Sequence, residues 1–437
     1  MIQFTLSSQD NDDNLEQPMN LNSKADPLST FQHGVVMIAE LQNAVRPVIR
    51  IASEVTHGIG RLSLTGSILV IAILTLFIAP APANGQTTPE APSLCIEETG
   101  DCDSPGSPPV PVSAASKKWN PGHYLKPQGN HAQSDTKKYL SSISSQLAKV
   151  DDSPEIRGAI VAYAWGVLEP NLGNYDWAPV REHLDYLSAR GKKLIVSINV
   201  KCFGTNCTNL APSDLTSEVF VTERASPTSI IKIWEARNMD LYIALWQAFA
   251  AEFDGNPALE MVLGAESTPS LQGGSPANYT KGAYATELKR MYSAQAAAFG
   301  TTNVIANVNF LGGEVSGLIE YAYQVGAGRG LPDVFDSNGS FVFRGECAGN
   351  DCAVRDYRGL VPHIGVVSTP TLSGKHGAAT GSPAGVLAYG AANKFTHYVW
   401  VSNESGEDSW SSIIDAIENT NPNAHTACPT AYTKGCK

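Results

Sequence analysis

Leu259–Ser267 reads LEMVLGAES. It is an apolar run ending in Gly264-Ala265-Glu266, with a helical pattern before it (Leu241 to Phe253) and another after it (Tyr284 to Phe299). A strand between two helices in a long chain is one unit of a parallel α/β sheet. Such sheets bind ligands at the carboxyl ends of their strands. Glu266 stands at such an end, behind a small residue that leaves it room. A carboxylate after a strand also serves as a helix cap or a solvated loop residue, so its role depends on what the chain builds around it.

Moving outward, the pattern repeats. Trp119 to Leu125 gives a short first strand, and Ser134 to Leu147 a helix. Ile160 to Trp165 is a second strand, followed by a helix over Val180 to Arg190. Lys193 to Val200 is the third, and a long polar loop runs on from it. LEMVLGAES is the fourth. Val304 to Asn309, Leu331 to Phe335, Val361 to Ser368 and Phe395 to Val401 follow as strands five to eight. Helices are expected at Val315 to Val325, Ala384 to Ala392 and Ser409 to Glu418. This order fits an α/β fold of the (β/α)8 TIM-barrel type in one domain with disulfide-pinned loops. A doubly wound open sheet competes, but it usually needs fewer strands, and no Gly-rich phosphate loop follows the first strand.

The chain has 437 residues and a formal net charge of -12, with no basic stripe, which argues against a nucleic-acid partner. Residues 1-63 read as a polar and basic leader. Within 64-83, Arg61 precedes the apolar run Ile68 to Ala79, and small residues follow at Ala81 and Ala83. That is the layout of a secretory signal, and the run is short of the roughly 20 residues that a full span needs. The long flank leaves three readings open: a start at Met37, a cleaved signal, or a single-pass anchor. Residues 84-117 are rich in Pro and Ser and read as a linker. The barrel is expected over 118-437.

The cysteines pair by proximity in sequence: Cys95 with Cys102, Cys202 with Cys207, Cys347 with Cys352, Cys428 with Cys436. All lie after the apolar run, among turn-forming residues. Local disulfides fit an exported protein, whether periplasmic, secreted or tethered to the outer face of a membrane. The spacings are wider than zinc ligands prefer. No metal, cofactor, HExxH motif or catalytic Ser elbow is called for.

The segment after the second strand carries W-x-x-x-E-P-x-x-G-x-Y-D-W as Trp165, Glu169, Pro170, Gly173, Tyr175, Asp176 and Trp177. With GKKLIVSINV, the fourth strand and the late Trp400, it resembles the large clan of retaining glycosidases with (β/α)8 barrels. The resemblance spans about Trp119 to Glu418. It implies that Glu266 is the acid/base residue and that Trp400 floors the sugar subsite. It departs from the clan in two places. Ala265 stands where an Asn normally precedes the acid, and the seventh strand, HIGVVSTP, offers no nucleophilic Glu.

Glycosidic cleavage needs two carboxyl groups, one to protonate the leaving oxygen and one to attack the sugar or activate water. Asp333 leads as partner to Glu266, ahead of Asp336, Asp356 and Glu404. Glu169 is read as supporting the site from behind, with Arg181 as its possible partner. Polar and aromatic residues near strand ends are candidates for holding the sugar: His123, Tyr163, Trp165, Asn199, Asn309, His363 and Trp400. Lys201 and Asn307 also end strands, without an assigned role. The expectation is a monomeric O-glycoside hydrolase acting on an extracytoplasmic poly- or oligosaccharide. Its rivals are a catalytically inactive glycan-binding barrel and a polysaccharide-active enzyme of another class, such as a lyase or an esterase.

Overall fold

The eight apolar runs take their places in one closed parallel barrel. The structure is a computed structural model that describes residues 116–127, 136–150, 153–271, 274–334, 357–368, 381–401, 409–420 and 424–437, all within the unit Ser107–Lys437. The leader, the apolar run at 68–79, the linker and the Cys95/Cys102 and Cys347/Cys352 pairs lie outside the described residues. So do Asp336, Asp356 and Glu404. Among the described residues no helix is long and apolar enough to cross a membrane.

In chain order the strands are β1 (Gly122–Leu125), β2 (Ile156–Ala164), β3 (Lys193–Asn199), β4 (Lys201–Phe203), β5 (Val219–Val221), β6 (Thr228–Ile231), β7 (Leu259–Leu263), β8 (Asn303–Asn307), β9 (Gly328–Leu331), β10 (His363–Val367) and β11 (His397–Trp400). The barrel order is β1-β2-β3-β7-β8-β9-β10-β11, closed by β11 on β1. The helices are α1 (Thr136–Lys149), α2 (Trp165–Leu168), α3 (Ala178–Ser188), α4 (Ala236–Phe253), α5 (Lys281–Ala298), α6 (Val315–Gln324), α7 (Pro383–Ala392) and α8 (Trp410–Asn419).

Strand alternation divides the apolar residues into two layers. Tyr124, Ile160, Ile195, Met261, Leu263, Ile305, Ile364, Val366 and Val399, all from barrel strands, fill the interior. Their neighbours, such as Val161, Val196, Val262 and Trp400, face the helices in a larger cluster. Glycines let the layers approach. A Cβ on Gly158 would lie 1.9 Å from the Lys193 carbonyl oxygen, and one on Gly365 would lie 2.2 Å from the Phe395 ring.

Three boundaries differ from the sequence expectation. The second strand begins at Ile156 and stops at Ala164, and Trp165 opens the one-turn helix α2 instead. The sixth strand is Gly328–Leu331, upstream of the expected Leu331 to Phe335. Its GRGL sequence looks like a turn, but a Cβ on Gly328 would lie 2.6 Å from Ile305 Cδ1 and 2.8 Å from the Pro362 carbonyl oxygen. Only glycine fits against those neighbours, and Asp333 therefore falls beyond the strand, not inside it. Third, the loop after β3 is not irregular: β4, β6 and β5 pair into a small antiparallel sheet.

The base of the barrel is closed by polar contacts. Glu260 and His397, 1% and 0% exposed, lie 3.3 Å apart. Glu260 also accepts from the Asn120 backbone at 2.8 Å. The C-terminal tail runs along the start of the domain, with Lys117 N–H donating to the Gly435 carbonyl and Trp119 N–H to that of Lys437. The Cys428–Cys436 disulfide ties that tail.

Candidate active site

At the carboxyl ends of the strands lies a cavity of about 330 Å³. Glu266, Asp333, Lys126, Lys201, Asn199, Asn307 and Phe203 are among the residues that line it. Glu266 enters it three residues beyond β7. The backbone there continues the strand's pairing, with Gly264 N–H donating to the Ile305 carbonyl and Ser267 N–H to that of Asn307, both at 3.0 Å. Tyr284 on α5 donates its hydroxyl to the Glu266 carbonyl at 2.8 Å. Burial among apolar neighbours holds the Tyr284 phenol well above its usual range, so it stays a donor.

Both carboxylate oxygens of Glu266 are occupied. Lys201 Nζ lies 2.6 Å from Oε2. Asn309 Nδ2 donates to Oε1 at 2.5 Å. The Asn309 amide is oriented by its other end, because its Oδ1 accepts the Thr268 backbone N–H at 3.2 Å and a backbone N–H can only donate. Ser267 Oγ in turn accepts from the Asn309 N–H at 2.6 Å. Glu266 is thus set by residues following three strands: Lys201 after β3, its own segment after β7, and Asn309 after β8.

Lys201 is itself tied down. It donates to the Thr268 carbonyl at 2.9 Å and sits 5.1 Å from the Phe203 ring centre. The Cys202–Cys207 disulfide pins the turn beside it. Lys126, directly after β1, also lines the cavity. Burial lowers its ammonium from the usual lysine range, and the charges of Asp333 and Glu266 pull it back up. The strand pattern singled out Lys201 only as a strand end and missed Lys126. The available signal was the same for both, a lysine within two residues of an apolar strand's carboxyl end.

The structure brings Glu266, Asp333, Asn199 and Asn309 to the cavity or its edge. The remaining candidates lie elsewhere. Trp400 faces the helix layer, is 0% exposed, and donates its Nε1–H to His123 Nδ1 at 3.0 Å. His123 stacks on Tyr398 in that same layer. Alternation explains this: Val399 points inward, so Trp400 points outward. Tyr163 is buried with its hydroxyl 2.6 Å from His183 Nδ1. His363 opens β10 at the opposite end of the barrel, with Nδ1 3.0 Å from the Asn393 carbonyl.

Trp165 is also buried, against Tyr242. Its Nε1–H donates to Glu169 Oε2 at 2.6 Å, and the Gly173 N–H donates to Oε1 at 2.6 Å. The W-x-x-x-E-P-x-x-G motif is therefore a brace for the loop after β2. Burial raises the Glu169 carboxyl, and these two bonds oppose that. Arg181 is not its partner; it pairs with Glu252 at 2.5 Å. Among the described residues no cluster of His, Cys, Asp or Glu is arranged to hold a metal ion.

No protein-family model matches the chain, and no curated protein is similar to it in sequence. Solved structures that resemble it are glycoside hydrolases with parallel barrels. One is a beta-1,4-D-mannanase from Cryptopygus antarcticus, with TM-score 0.44, 13% identity, and 72% of this chain and 96% of that chain covered. A beta-mannanase from the blue mussel Mytilus edulis has TM-score 0.43 and 10% identity, over 72% and 95%. The catalytic domain of a beta-amylase from Paenibacillus polymyxa has TM-score 0.43 and 11% identity, over 65% and 92%. Likeness this distant concerns the barrel alone.

Proposed function

We propose that the protein is an O-glycoside hydrolase acting on an extracytoplasmic glycan, with Glu266 as acid/base and Asp333 as its partner carboxylate. The observation that carries this is that both carboxylates line one cavity at the carboxyl ends of the barrel strands. Glycosidic cleavage needs such a pair across a cleft. Glu266 follows the fourth barrel strand and Asp333 the sixth, so the two approach a bound sugar from different sides of the mouth.

The hydrogen bonds around Glu266 define what must happen first. In the unliganded site Lys201 and Asn309 occupy both oxygens, so Glu266 rests as an acceptor. To act as acid it takes up a proton, and the glycosidic oxygen replaces Lys201 at Oε2. Asn309 then keeps the carboxyl in place while the proton moves to the leaving group. In the reverse sense Glu266 accepts a proton from water as the second step completes.

The same Lys201 contact favours a second reading, a barrel that binds glycan without cleaving it. A carboxylate permanently held by a lysine has no proton to give. A panel of poly- and oligosaccharides separates the two readings. Release of reducing sugar from at least one glycan supports the hydrolase. Binding with no release from any glycan supports the inactive barrel.

A further inference from the structure

A partly buried ammonium in the cavity lacks a partner, and an amide oxygen that lines the same cavity lacks one as well. Lys126 donates its backbone N–H to the Trp400 carbonyl at 2.8 Å, which fixes it on the barrel rim. Among the described residues its Nζ makes no hydrogen bond and no ion pair. Asp333 and Glu266 are close enough to act on it through their charge but do not touch it. An ammonium withdrawn from water without a partner costs stability. Lys201 presents no such opening, because Glu266 already occupies it.

Asn307 Oδ1 is buried with no hydrogen-bond partner and lines the same cavity. It can only accept, so what it lacks is a donor. The site is therefore missing an anion at one point and a hydroxyl or N–H at another. A neutral sugar supplies the second alone. We propose that the ligand of this cavity is an acidic sugar, its carboxylate or sulfate seated on Lys126 and one of its hydroxyls donating to Asn307. This rests on the carbohydrate reading above and narrows it to a substrate class.

The test is titration calorimetry of the folded protein with D-glucuronate, D-glucose 6-sulfate and D-glucose, on wild type and Lys126→Met. At least one acid should bind wild type about tenfold or more tightly than glucose, since a charge-assisted hydrogen bond is worth at least that factor. Lys126→Met should erase this preference and leave glucose binding unchanged. Preference for glucuronate assigns a carboxylate, and preference for the sulfate assigns a sulfate ester. Equal binding of acids and glucose, absence of saturable acid binding, or a preference that survives Lys126→Met overturns the proposal.

Thermal unfolding gives a second check. Removing an unpaired buried charge should leave the midpoint equal or raised. A lowered midpoint would mean that Lys126 is held for the fold by its carboxylate neighbours, and it too would overturn the proposal. Turnover is scored separately. A Lys126-dependent preference in a protein that hydrolyses nothing keeps this inference and removes the hydrolase reading. Turnover of neutral glycans with no preference for acids does the reverse.

Discussion

Lys201 Nζ lies 2.6 Å from Glu266 Oε2, and the two side chains are only 10% and 24% exposed. The pair joins the segment after β3 to the segment after β7, so the third and fourth barrel strands are tied at the cavity. Removing one partner leaves the other charge largely shielded from water. Lys201→Met should cost about 1–3 kcal/mol of stability. Glu266→Gln alone should cost less, because the amide oxygen still accepts from Lys201 or Asn309. The double variant should recover part of the Lys201→Met loss. Denaturant unfolding of all four proteins gives the coupling energy, and strict additivity would mean that the contact contributes nothing.

The floor of the barrel makes a second case. Glu260 and His397 are buried together, and Thr396 Oγ lies 2.8 Å from His397 Nδ1. That hydroxyl donates to the His363 carbonyl at 2.9 Å, so it accepts from the imidazole. His397 Nδ1 is then a donor, and Nε2 faces the carboxylate. Glu260→Gln breaks the match of proton and acceptor in a site with no water, and it should destabilise by about 2–4 kcal/mol. Cavity chemistry at the other end of the barrel should be little affected. A loss of ligand binding larger than the loss of folded protein would contradict that separation.

Lys117 and Lys118 predict a pH dependence. Burial lowers both to about 8 from the model-peptide 10.5, against the opposing charge of Asp254. Lys117 Nζ is spent on the carbonyls of Phe299 and Thr302. Between these values the unfolded chain binds more protons than the folded one, so stability rises with pH from about 8 toward 10.5. Below about 8 both states are protonated and the full cost of burying the charge is present. Each lysine should add on the order of 1 kcal/mol by pH ~9.5. Lys117→Met should reduce the rise measured by denaturant unfolding from pH ~7.5 to ~9.5. An unchanged slope would remove Lys117 from the effect.

Much of the fold was legible because barrel strands are apolar runs with a fixed period. The strands came out in the right order, and Glu266 reached the cavity because a strand's end is visible in sequence. The sixth strand was misplaced because Gly328 and Gly330 look like turn residues until the close approach of Ile305 and Pro362 is known. Trp400 was misread for another reason. Which of two adjacent strand residues faces the interior depends on register, and no local signal distinguishes Val399 from Trp400. The Trp165–Glu169 motif was recognised as a pattern, but its role in bracing a loop needed the Gly173 contact. Lys126 and Lys201 went without roles because single lysines after strands are common on protein surfaces. Only the cavity makes them unusual.

The central claim is that Glu266 passes a proton to a leaving group. Glu266→Gln keeps the size of the side chain and its bonds to Lys201 or Asn309, but it cannot transfer that proton. General acid catalysis is typically worth about 10² to 10⁴ in rate. The most direct measurement is turnover of a glycan hydrolysed by wild type, compared with Glu266→Gln of matched folded fraction. Paired substrates with a poor and an activated leaving group complete it. The account predicts a loss of about 10² to 10⁴ on the poor leaving group and a much smaller loss of bond cleavage on the activated one. Equal rates for the two proteins on the poor leaving group would contradict it.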